Sequence, residues 1–334
     1  MKTKKLFNTN LTVSNICLGT GNFGTATPDE LAFEILDTFA KNGGNFIDTA
    51  NVYGKWIPGA GNASEITLGK WLKARNAQKT MLIATKGAHP PLEDMSISRV
   101  TKSGIAEDLA ESKQALGLDT IDFFWLHRDD ESQPIEAIID MMEDFVQAGD
   151  IRYYGASNFK LDRMEAAWKY CNKNNLQGFS GLQNQWALAA PDPTAPKYGD
   201  PTMILSDDAF YEWHVKTKMP AIPYSATAAG FFHKIHSLNP QIDDNGNVTA
   251  EEKARLNKKV HQDYLIPRNF KNYQKLAQLS NEMGVDIHQL TLAYFFGVPF
   301  DAVPITSVRN MEQLQGLMDA SDIVLPYFLT TLHL

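Results

Sequence analysis

Across its 334 residues the chain repeats one grammar eight times, a short apolar run followed by a stretch with helical spacing. The apolar runs, read as strands, cover residues 15–19, 46–48, 81–86, 121–127, 151–157, 181–183, 221–224 and 302–306. The first helix opens at Thr27-Pro28-Asp29-Glu30, a capping box with Pro28 at the first helical position, and stops at Gly43-Gly44. The others cover 65–74, 102–116, 135–147, 161–171, 207–216, 272–283 and 310–318. Strands apolar on both faces are buried on both sides, as parallel strands under helices are. An α/β chain of this kind, with no composition break from residue 1 to 334, closes most simply into one (β/α)8 TIM barrel domain. A doubly wound open sheet is the alternative. Residues 4–13, turning at Asn8-Thr9-Asn10, add an N-terminal β-hairpin.

Three connections are too long for plain turns, at 55–63, 187–205 and 231–271, the last with its own helix capped by Thr249. All follow strands and precede helices, so a barrel would crowd them at its carboxyl-terminal mouth as substrate walls. The strands deliver polar groups to that same mouth. Asp48, with Tyr53 just beyond, ends the second, Lys86 the third, and His127 the fourth. Ser157 and Asn158, Gln183, Tyr224, then Thr306 and Ser307 end the next four. Polar ends on seven consecutive apolar strands are hard to explain as packing, and barrel enzymes keep their chemistry there.

The set has a physical logic. A phenol near pKa 10 is a poor acid at neutral pH, and a neighbouring lysine cation favours the phenolate. A buried lysine needs a counter-charge, which Asp48 can supply. A histidine can hold a carbonyl oxygen near the tyrosine while a hydride reaches the carbon.

These residues carry a family resemblance that runs along essentially the whole chain. Gly19-Thr-Gly-Asn-Phe-Gly24, Asp48-Thr-Ala-Asn-Val-Tyr-Gly54, Ser64-Glu65 with Leu68-Gly69, and Thr85-Lys-Gly87 open it. Ile121-Asp-Phe-Phe-Trp-Leu-His127, Gly155-Ala-Ser-Asn158, Leu182-Gln-Asn184, Pro223-Tyr-Ser225 and Arg309-Asn-Met-Glu-Gln313 continue it. In order and spacing the chain resembles the aldo-keto reductase superfamily. The resemblance implies an NAD(P)(H)-dependent oxidoreductase that reduces an aldehyde or ketone, without metal. Tyr53 would be the general acid, Lys86 its tuner, Asp48 the lysine's support, and His127 the group orienting the carbonyl. Ser157, Asn158 and Gln183 would bind the nicotinamide carboxamide and Tyr224 would stack on the ring. Gly21 belongs with this cofactor site. Ser225 and the turn to Gly230 would approach the pyrophosphate, and Ser307, Arg309 and Gln313 the adenosine end.

The chain departs from the family at the cofactor tail. Ile305 follows Pro304 where many members carry lysine, Leu317 stands where asparagine commonly faces adenine, and residues 225–230 read SATAAG rather than SPLGRG. Arg309 still favours NADP(H), with NAD(H) left open. Some proteins of this fold bind the cofactor and act only as regulatory partners, which is the non-catalytic alternative. Phe23, Trp56, Trp125 and Trp186 suggest an aromatic-walled pocket, suited to sugars, polyols or flat aliphatic carbonyls.

Other partners fit poorly. A net charge of −8 opposes a nucleic-acid partner. Two cysteines and no run of about 18 apolar residues point to a soluble, cytoplasmic chain rather than a membrane one. Gly19-x-Gly-x-x-Gly24 matches a dinucleotide fingerprint, but its glycines precede the helix start instead of forming it. His233, His236 and His261 lack acids at ligand spacing, and a calcium-like loop at 241–252 begins with Gln.

Overall fold

The structure is a computed structural model that describes residues 1–192 and 202–325. Of the expected loop 187–205, residues 193–201 lie outside the described residues. A hairpin of β1 (Thr3–Lys5) and β2 (Thr12–Ser14) comes first. The repeating units follow as β3 (Cys17–Gly19) and α1 (Asp29–Lys41), β4 (Phe46–Asp48) and α2 (Ala63–Arg75), β5 (Leu82–Gly87) and α3 (Lys102–Leu116). Next come β6 (Ile121–Leu126) and α4 (Ile135–Gln147), β7 (Ile151–Ser157) and α5 (Leu161–Asn174), then β8 (Phe179–Gln183) and α6 (Asp208–Thr217). Helices α7 (Phe231–Leu238), α8 (Ala250–Leu256), α9 (Pro267–Met283) and α10 (Ile287–Ala293) precede β9 (Ile305–Thr306) and α11 (Met311–Ala320).

The strands form a parallel sheet in the order β8-β7-β6-β5-β4-β3-β9. Residues 221–224 close it into a barrel without forming a regular strand. Ile222 N–H donates to Leu182 on one side (2.9 Å), and Val303 and Ile305 donate to Ala221 and Pro223 on the other (both 2.9 Å). Pro220, Pro223 and Pro304 have no N–H to give, which breaks the ladder into isolated bridges and shortens β9 against expectation.

Alternation along each strand decides what faces inward. Phe46, Ala84, Phe123 and Trp125 fill the barrel, and Leu6, Leu11 and Val13 of the hairpin plug its amino-terminal end. The intervening Leu18, Ile47, Ile83, Phe124 and Leu126 face the helices. A separate apolar core joins Trp186, Phe231, Phe270, Leu276, Leu290 and Tyr294, so residues of the 231–271 connection pack against α9 and α10. Among the described residues no helix is long and apolar enough to cross a membrane.

Two local expectations need correction. Pro28 is the N-cap of α1 and no side chain caps it, because Thr27 closes a turn with Asn22 (2.9 Å) and Gly24 (2.9 Å) instead. Helix α10 went unforeseen, although Asp286 caps it through His288 N–H (2.7 Å).

Candidate active site

Strands β4 to β8 bring Asp48, Lys86, His127, Ser157 and Gln183 to one end of the barrel, in register through the pairs Asp48–Ala84, Lys86–Trp125 and Ser157–Gln183. Lys86 is 2% exposed and its ammonium donates three hydrogen bonds. They reach Asp48 Oδ2 (2.5 Å), the Thr49 carbonyl (2.8 Å) and the Tyr53 hydroxyl (2.9 Å). Burial alone would pull its pKa down, but the charges of Asp48 and Tyr53 and their hydrogen bonds hold it above the ordinary lysine value. Burial pushes Asp48 up despite Lys86 and Gln183.

His127 faces this chain from β6, its ring centroid 6.1 Å from that of Tyr53. Burial lowers its pKa well below the ordinary value, and Arg128, Lys86 and His89 add to the effect, so the imidazole is neutral near pH 7. Its buried Nδ1 has no hydrogen-bond partner among the described residues. Tyr53, Lys86, His127, Ser157, Asn158, Gln183 and Tyr224 all line one cavity of about 240 Å³, shared with Val52, Trp56, Leu92 and Met203.

The side chains beyond this tetrad are held by one another. Gln183 Nε2 donates to Asp48 Oδ1 (2.9 Å), a role its sequence position did not announce. Its Oε1 accepts no hydrogen bond from the described residues. Ser157 donates to the Gln183 carbonyl (2.8 Å), and Tyr224 donates to Asn158 Oδ1 (2.7 Å). Asn158 takes φ +61 to reach these partners.

Beyond Tyr224 the chain stays strained. Ser225, Ala228, Ala229 and Gly230 all have positive φ, a conformation that costs a non-glycine residue roughly 1–2 kcal/mol. The turn runs directly into the N-terminus of α7, where backbone N–H groups favour anions. Gly21 lies against the tyrosine ring, since a Cβ there would stand 3.7 Å from Tyr53 Cδ2. Ser307 is exposed beside Gly19. Gln313 Oε1 accepts the Arg309 N–H (2.9 Å), and Asn310 caps α11. The Arg309 side chain is exposed and has no ion-pair partner among the described residues.

The four expected aromatic walls separate. Trp56 lines the cavity, its ring 6.1 Å from Tyr53. Phe23 is buried in the helix-facing core, and Trp125 sits one layer down the barrel on Phe123, with centroids 4.3 Å apart. Trp186 belongs to the second core, 5.0 Å from Phe295. Large apolar rings reach full burial more readily in those cores than at a wet mouth. His89, Leu92 and Met203 take places in the wall, and only His89, three residues past Lys86, offered a chemical signal.

Glu65, one turn behind the site on α2, is fully buried. Its carboxylate oxygens accept from Thr85 (2.5 Å) on β5 and from Asn62 (2.7 Å) at the end of the Trp56 loop. Burial raises its pKa to about 7 against those bonds and Ser112. A raised folded pKa means that the native state keeps the proton after the unfolded chain has lost it. Stability from this group is therefore full below the ordinary carboxyl value of 4.5 and is lost as pH rises through about 7. Glu65→Gln is expected to remove that slope, gaining up to about 3 kcal/mol relative to wild type between pH 5 and 8. Urea unfolding across that range measures it, and a pH-independent difference would mean the carboxyl is ionised throughout.

His236 contacts Tyr273 (3.5 Å) and His261 lies by Asp263 (3.4 Å). Among the described residues, no three His, Cys, Asp or Glu side chains gather as metal ligands.

Comparison with known proteins bears on the family and the fold. The family model described as Aldo/keto reductase family matches residues 15–327. The uncharacterized oxidoreductase YrpG of Bacillus subtilis (strain 168) is 26% identical over 325 residues, 95% of this chain and 90% of the relative. Norsolorinic acid reductase stcV of Emericella nidulans is 30% identical over 320 residues, 91% of this chain and 73% of the relative. Aryl-alcohol dehydrogenase GME11368 of Pestalotiopsis microspora is 25% identical over 328 residues, 94% and 76% of the two chains. In fold, the chain resembles holo aldo-keto reductase AKR11C1 from Bacillus halodurans, with a TM-score of 0.71 at 19% identity, covering 100% and 97% of the two chains. The barrel and the match over nearly its whole length make this chain a member of the aldo/keto reductase family.

Proposed function

We propose that the chain reduces an aldehyde or ketone to an alcohol, with a nicotinamide dinucleotide as hydride donor and Tyr53 as proton donor. The observation that carries this reading is the buried Asp48–Lys86–Tyr53 chain facing a neutral His127 across one cavity. When bound, the dinucleotide supplies the hydride. His127 holds the carbonyl oxygen, and Tyr53 passes its phenolic proton to that oxygen. The Lys86 cation, 2.9 Å away, favours the phenolate left behind. Asp48 keeps the lysine charged and aimed.

The residues present suit the cofactor. The half-buried Tyr224 ring at the cavity offers a stacking face for the nicotinamide, and Gln183, Ser157 and Asn158 line the same cavity with polar groups suited to its carboxamide. The strained turn at 225–230 and the start of α7 suit a pyrophosphate. The exposed Arg309 guanidinium is the group for a 2′-phosphate, which favours NADP(H) over NAD(H), with Ser307 and Gln313 beside it. Arg309→Ala is expected to weaken NADPH about tenfold, on the order of 1.5 kcal/mol for one hydrogen bond to a charged group, and to spare NADH. Fluorescence titration of both cofactors measures this.

The aryl-alcohol dehydrogenase name among the relatives makes benzaldehydes the first substrates to try, beside short aliphatic and sugar aldehydes. NADPH absorbance should fall when the right aldehyde is added. Tight cofactor binding with no oxidation across the panel would overturn catalysis in favour of a regulatory role.

A further inference from the structure

Beside the catalytic cavity stands a second one of about 430 Å³, between residues 51–55 and 87–93, with α3 as its far wall. Val52, Lys86, His89 and Leu92 line both, so the two spaces adjoin, with His89 among the residues between them. That histidine is held at the junction by the residue before it. Ala88 takes φ +58, and its N–H donates to Asp108 (2.7 Å), which pairs in turn with Arg99 (2.7 Å). The left-handed alanine costs roughly 1–2 kcal/mol, a strain that persists only where surroundings impose it. His89 Nδ1 lies 2.7 Å from the Pro90 carbonyl and its ring stands 4.8 Å from His127.

The chemistry of the second space differs from that of the first. Its wall carries Glu93, Glu107, Asp108 and Glu111 against Lys55 and Arg99, because Lys86 is neutralised by Asp48. Four carboxylates against two cations leave an acidic excess of two. The cations are already engaged, Lys55 with Glu111 (2.7 Å), and Arg99 with Asp108 (2.7 Å) and Glu107 (3.3 Å). Such a wall offers acceptor oxygens to a hydroxyl and repels a carboxylate or phosphate, since like charges brought together cost affinity.

We propose that this cavity is a second substrate subsite. It takes an uncharged, hydroxyl-bearing tail of the carbonyl compound, which passes His89, and it turns anionic tails away. The proposal rests on the reductase reading above and adds the part of the substrate that reading leaves open.

The test compares three aldehydes with one reacting group: benzaldehyde, 3-(2-hydroxyethoxy)benzaldehyde and 3-(carboxymethoxy)benzaldehyde. With each efficiency taken relative to benzaldehyde, the hydroxyl tail should exceed the carboxylate by about tenfold or more in kcat/KM, carried by KM. Glu93→Lys with Glu107→Lys, both exposed positions, should cancel or reverse that ratio. Equal use of the two tails, or a ratio the double variant leaves unchanged, would overturn the subsite. If none of the three is turned over, benzaldehydes are not substrates, and the wider aldehyde panel above decides the reductase reading. The subsite is then judged by calorimetric binding of the two corresponding alcohols, where the same ratio and the same reversal are required.

Discussion

Tyr53→Phe is expected to leave a folded protein that binds nicotinamide cofactor and reduces carbonyls roughly 10²–10³-fold more slowly, about 3–4 kcal/mol of transition-state stabilisation. The size follows from what the substitution removes. The ring stays, with its cation–π contact to Lys86 Nζ at 4.5 Å and its edge contact to His127. Only the hydroxyl is lost, and with it one of three Lys86 hydrogen bonds. Lys86 keeps Asp48 and the Thr49 carbonyl, so stability should fall by no more than about 1.5 kcal/mol. A large loss of kcat with a small loss of stability is therefore the signature of a proton donor. Single-turnover rates at saturating cofactor, set beside urea unfolding of the same variant, give both numbers. Unchanged turnover would sink the mechanism, and loss of folding would make Tyr53 a structural residue.

What could be read from the sequence here was set by parity. Strand residues alternate, so an acid at 48, a lysine at 86, a histidine at 127 and a glutamine at 183, each ending an apolar run, had to face one interior once the strands ran parallel. Parity does not give height along the barrel. Trp125 shares the inward face with His127 yet lies a layer below the mouth, its ring over Gly155, where a Cβ would collide with it, and near Gly181. Trp186 was misplaced for another reason. Its neighbours Tyr211, Tyr294, Phe295 and Phe300 come from segments 25 or more residues away, and no local pattern announces such a core. Gln183 was legible as a site residue but not as the second hydrogen-bond donor to Asp48, because that contact crosses the barrel. The left-handed Ala88 that fixes His89 left no trace at all, since the sequence signals for that conformation are glycine, asparagine and aspartate, not alanine.

Lys86→Met should be the most destabilising change at the site. Asp48 is 2% exposed, and the substitution would leave its carboxylate with Gln183 as the one remaining donor among the described side chains. Breaking a buried ion pair from one side costs about 3–5 kcal/mol, because the surviving charge has no compensation. The pH dependence should identify the cause. Burial already raises the Asp48 pKa, and without Lys86 the carboxyl rises further and folds protonated. The variant's stability should then be greatest at acidic pH, below the unfolded value of 3.8, and decline as pH rises through the folded value, more steeply than in wild type, where Glu65 already contributes a slope of the same sign. Asp48→Asn added to Lys86→Met removes the orphaned charge and keeps an amide for Gln183, so the double variant should recover most of the loss near pH 7 while remaining inactive. A cycle of the four proteins by urea unfolding at pH 5 and 8 measures the coupling. If the double variant is no more stable than Lys86→Met, the lysine is held by packing of its methylene chain, and the charge pair contributes little to the fold around Tyr53.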